Sequence, residues 1–225
     1  MWTVGEIKAR GKEAFKANYW NSVLVAVLLS IFTAGTATVT RNETSTEELQ
    51  AQISTLDPLA LKILLGVLLS IAVISILLRI FLFNPLEVGG YRFFKKNVAE
   101  GNASVSTIGE GFSDYGHVFI TLFLKDLFLA LWTCLFFIPG LIKGYSYRMV
   151  PYIIKDNPEL SATEVITKSR KLMNGHKWHA FVLDLSFIGW FILAAITCGL
   201  VGIFWTKPYY ENTNAALYVE LSKNQ

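Results

Sequence analysis

Long uncharged apolar runs alternate with short charged segments along this chain. Residues 23–39 and 63–78 carry no charged side chain, and about 20 apolar residues suffice for a helix to cross a bilayer. Lysine and arginine at the ends of such a run can extend to the headgroups, as Lys62 and Arg79 can for the second run. The pattern predicts an all-α protein, a polytopic membrane helical bundle.

Applied to the whole chain, the same pattern predicts about six transmembrane segments arranged as repeated hairpins. We place these segments at roughly 22–40, 59–83, 117–138, 141–156, 179–197 and 200–222. The first is longer than the apolar core of a usual signal peptide, so we interpret it as a retained helix. In the alternative arrangement there are four segments, and residues 139–178 and 206–225 lie on the inner face of the membrane.

Two stretches of the chain, 124–152 and 182–209, resemble each other. The aligned positions are Asp126-Leu127 with Asp184-Leu185, Trp132 with Trp190, and Pro151-Tyr152 with Pro208-Tyr209. Such self-similarity indicates that one supersecondary unit is used more than once. We therefore interpret residues 1–225 as a single membrane domain of three hairpin units, at 1–98, 99–156 and 157–225.

A charged amphipathic segment begins the first and third units, at residues 3–19 and 161–179. Thr3 with Glu6, and Ser161 with Glu164, fit a capping box, which satisfies backbone donors at the start of a helix. A basic amphipathic helix beside a span is typical of a helix that lies among the headgroups and attracts anionic lipid. We predict two interfacial helices on the inner leaflet, with binding to a partner helix as the alternative.

The composition favours a membrane protein over a nucleic-acid-binding protein. Hydrophobic residues make up 53% of the chain and charged residues 16%, whereas soluble domains carry about 25% charge. The net charge of +3 is too small to predict nucleic-acid binding. Basic residues dominate 1–21 and 143–179, and acidic residues dominate 41–58. Because positive charge marks the cytoplasmic side, we predict that both termini are cytoplasmic and that the 41–58 loop is external.

Ionisable residues inside the predicted spans are the sharpest chemical signal. A charge at the centre of a bilayer costs about 2.5–3.5 kcal/mol or more, so it normally faces a partner or water. One acid and one base per hairpin predict two intramembrane charge pairs, Asp126 with Arg148 and Asp184 with Lys207. Such pairs would fix the register of each hairpin. The alternatives are a polar pathway for a solute, ion or lipid headgroup, and acid–base catalysis.

The remaining reactive side chains do not form the pattern of a catalytic, cofactor-binding or metal site. His176 and His179 flank Trp178 at a predicted membrane boundary, and we interpret them as interfacial anchors. We interpret Cys134 and Cys198 as small buried apolar residues. We therefore predict no enzyme, no cofactor and no nucleic-acid partner. The predicted partners are membrane lipids, above all the anionic lipids of the inner leaflet, and any protein partner is left unidentified.

Four stretches resemble a known family: MWTVGEIKARGKEAFKANYW, NPLEVGGYRFF, FIPGLIKGYSYRMVPYIIKDNPELSATEVITKSRKLMNGHKW and PYYENTNAALY. The chain resembles the bacterial integral membrane family that is defined by the "nine-seven-five" domain of unknown function. The resemblance implies a multi-pass protein of the bacterial cytoplasmic membrane, and it brings no established activity or site residues. We therefore expect a structural, interaction or modulatory membrane component. The alternative is a small transporter or channel for an ion, amphiphile or lipid, and an intramembrane enzyme ranks last.

Overall fold

The computed structural model describes residues 2–34 and 57–223, and all regular structure in these two ranges is helical. The α-helices are α1 Val4–Ala17, α2 Tyr19–Ala34, α3 Pro58–Leu78, α4 Asn84–Glu100, α5 Tyr115–Leu135, α6 Phe137–Tyr147, α7 Val150–Asp156, α8 Ala162–Leu172, α9 Lys177–Leu185, α10 Ile188–Ile196 and α11 Lys207–Ser222. A 3-10 helix covers Val105–Phe112, and π-helical turns cover Arg79–Phe83 and Gly202–Thr206. The fold is therefore all-α, as predicted.

Three helical stretches in the described ranges are long and apolar enough to cross a membrane: Pro58–Glu100, Tyr115–Leu135 and Lys177–Ile196. The bent pair of α1 and α2, with an angle of 105° between its helices, raises the number to four if it forms one span. Helix α6 has only 11 residues, and α11 begins with a charged, polar turn. The six predicted spans are therefore not confirmed, and most of the predicted 41–58 loop lies outside the described residues.

The protein core lies among α1, α4 and α11, away from the apolar helix α3. Phe15 of α1, Phe93 and Phe94 of α4 and Leu217 of α11 are fully buried, and α1, α4 and α11 pack together. No residue of α3 is buried, although α3 is the most apolar of the long helices. Apolar side chains that face lipid are already out of water. In helices that face water, burying the apolar side chains against protein lowers the free energy of the folded state.

Both predicted capping boxes are present. The Glu6 carboxylate accepts the backbone N–H of Thr3 at 2.8 Å, and Glu164 accepts that of Ser161 at 2.8 Å. Glu164 also accepts the Ser161 hydroxyl at 2.6 Å. The hydroxyl hydrogen bond most strongly, and the backbone hydrogen bond as well, lower the pKa of the Glu164 carboxyl. The buried face of α1 (Ile7, Gly11, Ala14 and Phe15) packs on α11, and α8 packs on α5, α7 and α6. The apolar faces of these helices therefore contact protein.

A buried amide network holds the bend between α1 and α2. Asn18, at the bend, donates its Nδ2 to the Oδ1 of Asn97 in α4 at 2.8 Å. Asn97 in turn donates to the Oδ1 of Asn212 in α11 at 2.8 Å. A buried amide that lost its partner would cost free energy, so the network ties the bend to α4 and α11.

Ion pairs join α4, the 3-10 helix and α7. Arg92 pairs with Asp156, which also accepts Lys95 at 3.1 Å. Glu110 accepts both Arg92, at 3.2 Å, and Lys96. Partial burial acts to raise the pKa of the Glu110 carboxyl, but hydrogen bonds from Lys96 and Arg92 outweigh it, and the pKa is lowered. The carboxylate therefore stays charged in its bridging position.

A proline stands in the first turn of α4, α7 and α11: Pro85, Pro151 and Pro208. Proline has no N–H to donate, so a carbonyl oxygen about one turn earlier loses its helical partner. The π-helical turns lie directly before α4 and α11. At Pro85 and Pro208 the helix continues through a π-helical turn, whereas before Pro151 a short turn separates α6 from α7. These three irregular turns are called the proline breaks below.

A hydroxyl group from a distant helix reaches one carbonyl in the turn before each proline. The pairs, donor first, are Tyr115 to Ile80 at 2.8 Å, Ser169 to Ser146 at 2.8 Å, and Tyr19 to Phe204 at 3.0 Å. Such side-chain donors can satisfy the backbone acceptors that a proline leaves without a partner. Each break is therefore braced by another part of the chain.

Candidate polar site at Arg148 and Asp184

The strongest polar cluster joins the end of α6 to α9. Arg148 directly follows α6, and its guanidinium makes two hydrogen bonds to the Asp184 carboxylate of α9, Nη1 to Oδ2 at 2.9 Å and Nη2 to Oδ1 at 2.7 Å. Both side chains are largely buried, with 14% of Arg148 and 26% of Asp184 exposed. This paired geometry is the strong form of an arginine–carboxylate contact.

Three further side chains complete the cluster. Tyr145 donates its hydroxyl to Asp184 Oδ2 and Tyr210 donates to Oδ1, both at 2.9 Å. Arg148 Nη2 also donates to the Tyr210 hydroxyl at 3.0 Å and to the Asn214 Oδ1 at 2.5 Å. Each carboxylate oxygen of Asp184 thus accepts two hydrogen bonds. These four hydrogen bonds fix the orientation of the carboxylate.

The structure pairs the four predicted charges differently from the sequence analysis. Asp184 of α9 binds Arg148, which follows α6, rather than Lys207. Lys207 pairs with Glu211 one turn along α11, at 3.1 Å, and Asp126 pairs with its neighbour Lys125 at 2.9 Å. The predicted pairs Asp126–Arg148 and Asp184–Lys207 are therefore replaced. The reason is that α6 packs against α9, which brings Arg148 next to Asp184.

The roles of Tyr145, Tyr210 and Asn214 were not predicted from the sequence. A signal for them was present, because Tyr145 stands three residues before Arg148, and Tyr210 and Asn214 are four apart on α11. Residues at such spacings share a helix face. The sequence does not indicate that those two faces meet.

A cavity of about 370 Å³ opens beside the cluster, between α5, α6 and α9. Its lining is mostly apolar and ends in the polar cluster: Leu129, Thr133, Phe137, Gly140, Leu141, Gly144, Tyr145, Arg148 and Asp184. A mostly apolar cleft with a few converging polar groups is typical of a small-molecule or lipid site.

The histidines and cysteines lie elsewhere. The rings of His176 and His179 contact the Trp2 ring, with centroids 6.0 and 5.6 Å apart. In the two described ranges, His, Cys, Asp and Glu form no group of three that could hold a metal ion. Cys134 and Cys198 are exposed, so the prediction that they are buried is wrong. Cys134 lies in the last turn of α5, and Cys198 lies in the turn that follows α10.

Comparisons with known proteins identify one family. The family model described as "Protein of unknown function (DUF975)" matches residues 135–225, which include α6 and all five residues of the polar cluster. No curated protein and no solved structure matches the chain. Residues 135–225 are thus similar to the DUF975 family, the nine-seven-five family that the sequence resembles.

Proposed function

We propose that this protein is a multi-pass component of the bacterial cytoplasmic membrane that acts by associating with another membrane protein, without catalysis. In this proposal three hairpin units, 1–98, 99–156 and 157–225, supply six membrane segments, and both termini are cytoplasmic. The proline breaks, each braced by a hydroxyl from another unit, support the three-unit arrangement. The alternative function, transport along a polar pathway, gains no support from Arg148 and Asp184, since these two charges form an ion pair with each other.

The observation that carries the proposal is the bare surface of α3. None of its 21 residues is buried. In the described part of the chain, α3 has its main contacts with the π-helical turn that follows it. Lipid can surround such a helix. Because α3 contributes no buried residue to the core of this protein, its whole surface is also available for packing against another protein.

One face of α3 has the pattern of a packing seam. Its residues are spaced alternately four and three apart: Leu59, Ile63, Gly66, Ser70, Val73 and Leu77. This spacing is that of a left-handed helix pair, and the small residues Gly66 and Ser70 at its middle would let two helices approach closely. A Cβ added at Gly66 would meet no atom within 4 Å, so this position is open. We therefore place the contact with a membrane helix of another protein on this face.

Photo-crosslinking in living bacteria tests the proposed contact. A photoreactive amino acid at Val73, on the seam, is expected to give a discrete protein adduct, whereas one at Leu68, on the opposite face, is expected to give mainly lipid adducts. A probe at Phe187, which is fully buried, serves as the control for adducts within the chain. Lipid adducts alone at Val73, or the same protein adduct from both faces, would contradict the proposal.

Reporter fusions test the proposed topology. We expect a reporter after Gln225 to be active only as a cytoplasmic fusion, and one at Thr46, which lies outside the described residues, to be active only as an external fusion. The reason is the excess of basic residues in 143–179 over the acidic 41–58 segment. An external reading after Gln225 would exclude the six-segment arrangement.

A further inference from the structure

The cavity between α5 and α6 is a slot formed by two glycines. At Gly140 the helices touch, because an added Cβ would lie 2.6 Å from Thr133 Oγ1. At Gly144 they separate, because the nearest atom to an added Cβ is Leu129 Cδ1, at 3.9 Å. The resulting space of about 370 Å³ falls within the range of about 300–1,000 Å³ that is usual for ligand sites.

The slot opens toward the surroundings of the apolar helices. Its outer walls include Phe137, which is 69% exposed, and Leu141, which is 54% exposed. The inner end carries the Tyr145 hydroxyl and the Arg148–Asp184 pair. An occupant that fits both ends needs a long apolar part and a polar head. A membrane lipid with one acyl chain along the slot meets this requirement.

The charge near the polar end favours an anionic head. Lys143 lies on α6 beside Gly144, with its ammonium 4.4 Å from the ring centroid of Trp132 on the adjoining α5. Arg170 of α8 and Lys177 of α9 lie close enough to Lys143 to repel it. Within the described ranges, none of these three cations has a carboxylate within 4.0 Å. Asp184 is neutralised by Arg148, so the surroundings of the slot carry an excess of positive charge.

We propose that this slot binds an anionic phospholipid, with one acyl chain between α5 and α6 and the phosphate toward Arg148 and Lys143. The proposal rests on the proposed membrane location but not on the contact made by α3. Phosphate is well matched to arginine and lysine donors. A lipid bound in this way would fill the gap at Gly144 and link the ends of α6, α8 and α9.

Native mass spectrometry of the full chain in detergent tests the slot, with phosphatidylglycerol and phosphatidylethanolamine of identical acyl chains as the probes. We expect the wild-type chain to bind phosphatidylglycerol more tightly. Gly144→Leu, which fills the slot, is expected to weaken this binding about ten-fold. Gly189→Leu is the matched control, because Gly189 lies on exposed α10 and an added Cβ there meets no atom within 4 Å. Equal binding by the two variants would overturn the proposal.

A second pair of variants tests the charge without filling the slot. Lys143→Gln is expected to reduce the preference for phosphatidylglycerol over phosphatidylethanolamine several-fold, whereas Lys223→Gln, at an exposed cation that follows α11 and pairs with Glu220, is expected to preserve it. This pair decides the proposal if Gly144→Leu does not fold. An unchanged preference in Lys143→Gln would overturn the assignment of an anionic head. The two proposals fail separately. Failure to find selective phosphatidylglycerol binding would contradict the slot proposal but not the contact made by α3. Absence of protein adducts at Val73 would contradict the contact made by α3 but not the slot proposal.

Discussion

Asp184→Ala is expected to destabilise the purified protein by about 3–5 kcal/mol, since removing one member of a buried ion pair leaves the other charge without a partner. Arg148 would lose both of its hydrogen bonds to the carboxylate, and the hydroxyls of Tyr145 and Tyr210 would lose their acceptor. The measurement is the midpoint of chemical or thermal unfolding in detergent. The expected loss is a large fraction of the stability of a typical domain.

Asp126→Ala is the matched control. Its carboxylate is 52% exposed and pairs with the adjacent Lys125 alone among the described ion pairs, and an exposed pair contributes at most about 1 kcal/mol. The double variant Asp184→Leu with Arg148→Met should recover part of the loss, because it removes both charges together. Equal losses from Asp126→Ala and Asp184→Ala, or no recovery in the double variant, would contradict the structural role of the cluster.

Gly111→Ala is expected to destabilise the protein by about 2–3 kcal/mol or more, because overpacking forces backbone shifts. An added Cβ at Gly111 would lie 1.8 Å from the carbonyl oxygen of Pro85. On the other side of the same contact, a Cβ at Gly89 would lie 2.0 Å from the carbonyl oxygen of Ile108. The 3-10 helix and α4 thus touch backbone to backbone, and no side-chain movement relieves the clash.

Gly109→Ala tests this prediction within the same 3-10 helix. A Cβ there would meet no atom within 4 Å, so its effect is expected to stay within about 0.5 kcal/mol, as for other surface substitutions. Unfolding midpoints of the two variants in one detergent provide the comparison. Similar midpoints would mean that the backbone contact between α4 and the 3-10 helix is not needed for the folded state.

Local features of the fold could be predicted from the sequence. The capping boxes at Thr3 and Ser161 depend on neighbouring residues, and the structure contains them. At Pro85 and Pro208 the helix is not interrupted but continues through a π-helical turn. The number of spans was harder to predict. A segment can be apolar enough to cross a membrane and still form a helix that is too short to do so. This is the case for α6, which ends at the turn that follows Tyr147.

The candidate site was predicted in part. Arg148 and Asp184 stood out as charges among apolar residues, but their partnership could not be inferred, because helical periodicity gives the face of each helix and not the helix that it meets. The same limit explains Cys134. Its apolar neighbours suggested burial, whereas near the hairpin tip the side chain is exposed, and in a membrane such an apolar surface can face lipid.

The contact between α1 and α11 has a consequence for biosynthesis. Gly11 lies against Thr213, with room for no Cβ, and Tyr19 braces a carbonyl of the turn that leads into α11. Helix α1 is therefore completed by a helix that is synthesised much later. Until α11 has been synthesised, the face of α1 and the buried amide of Asn97 lack their final partners. Insertion of the early helices can proceed as they emerge, but closure of the core must wait until translation has passed residue 213.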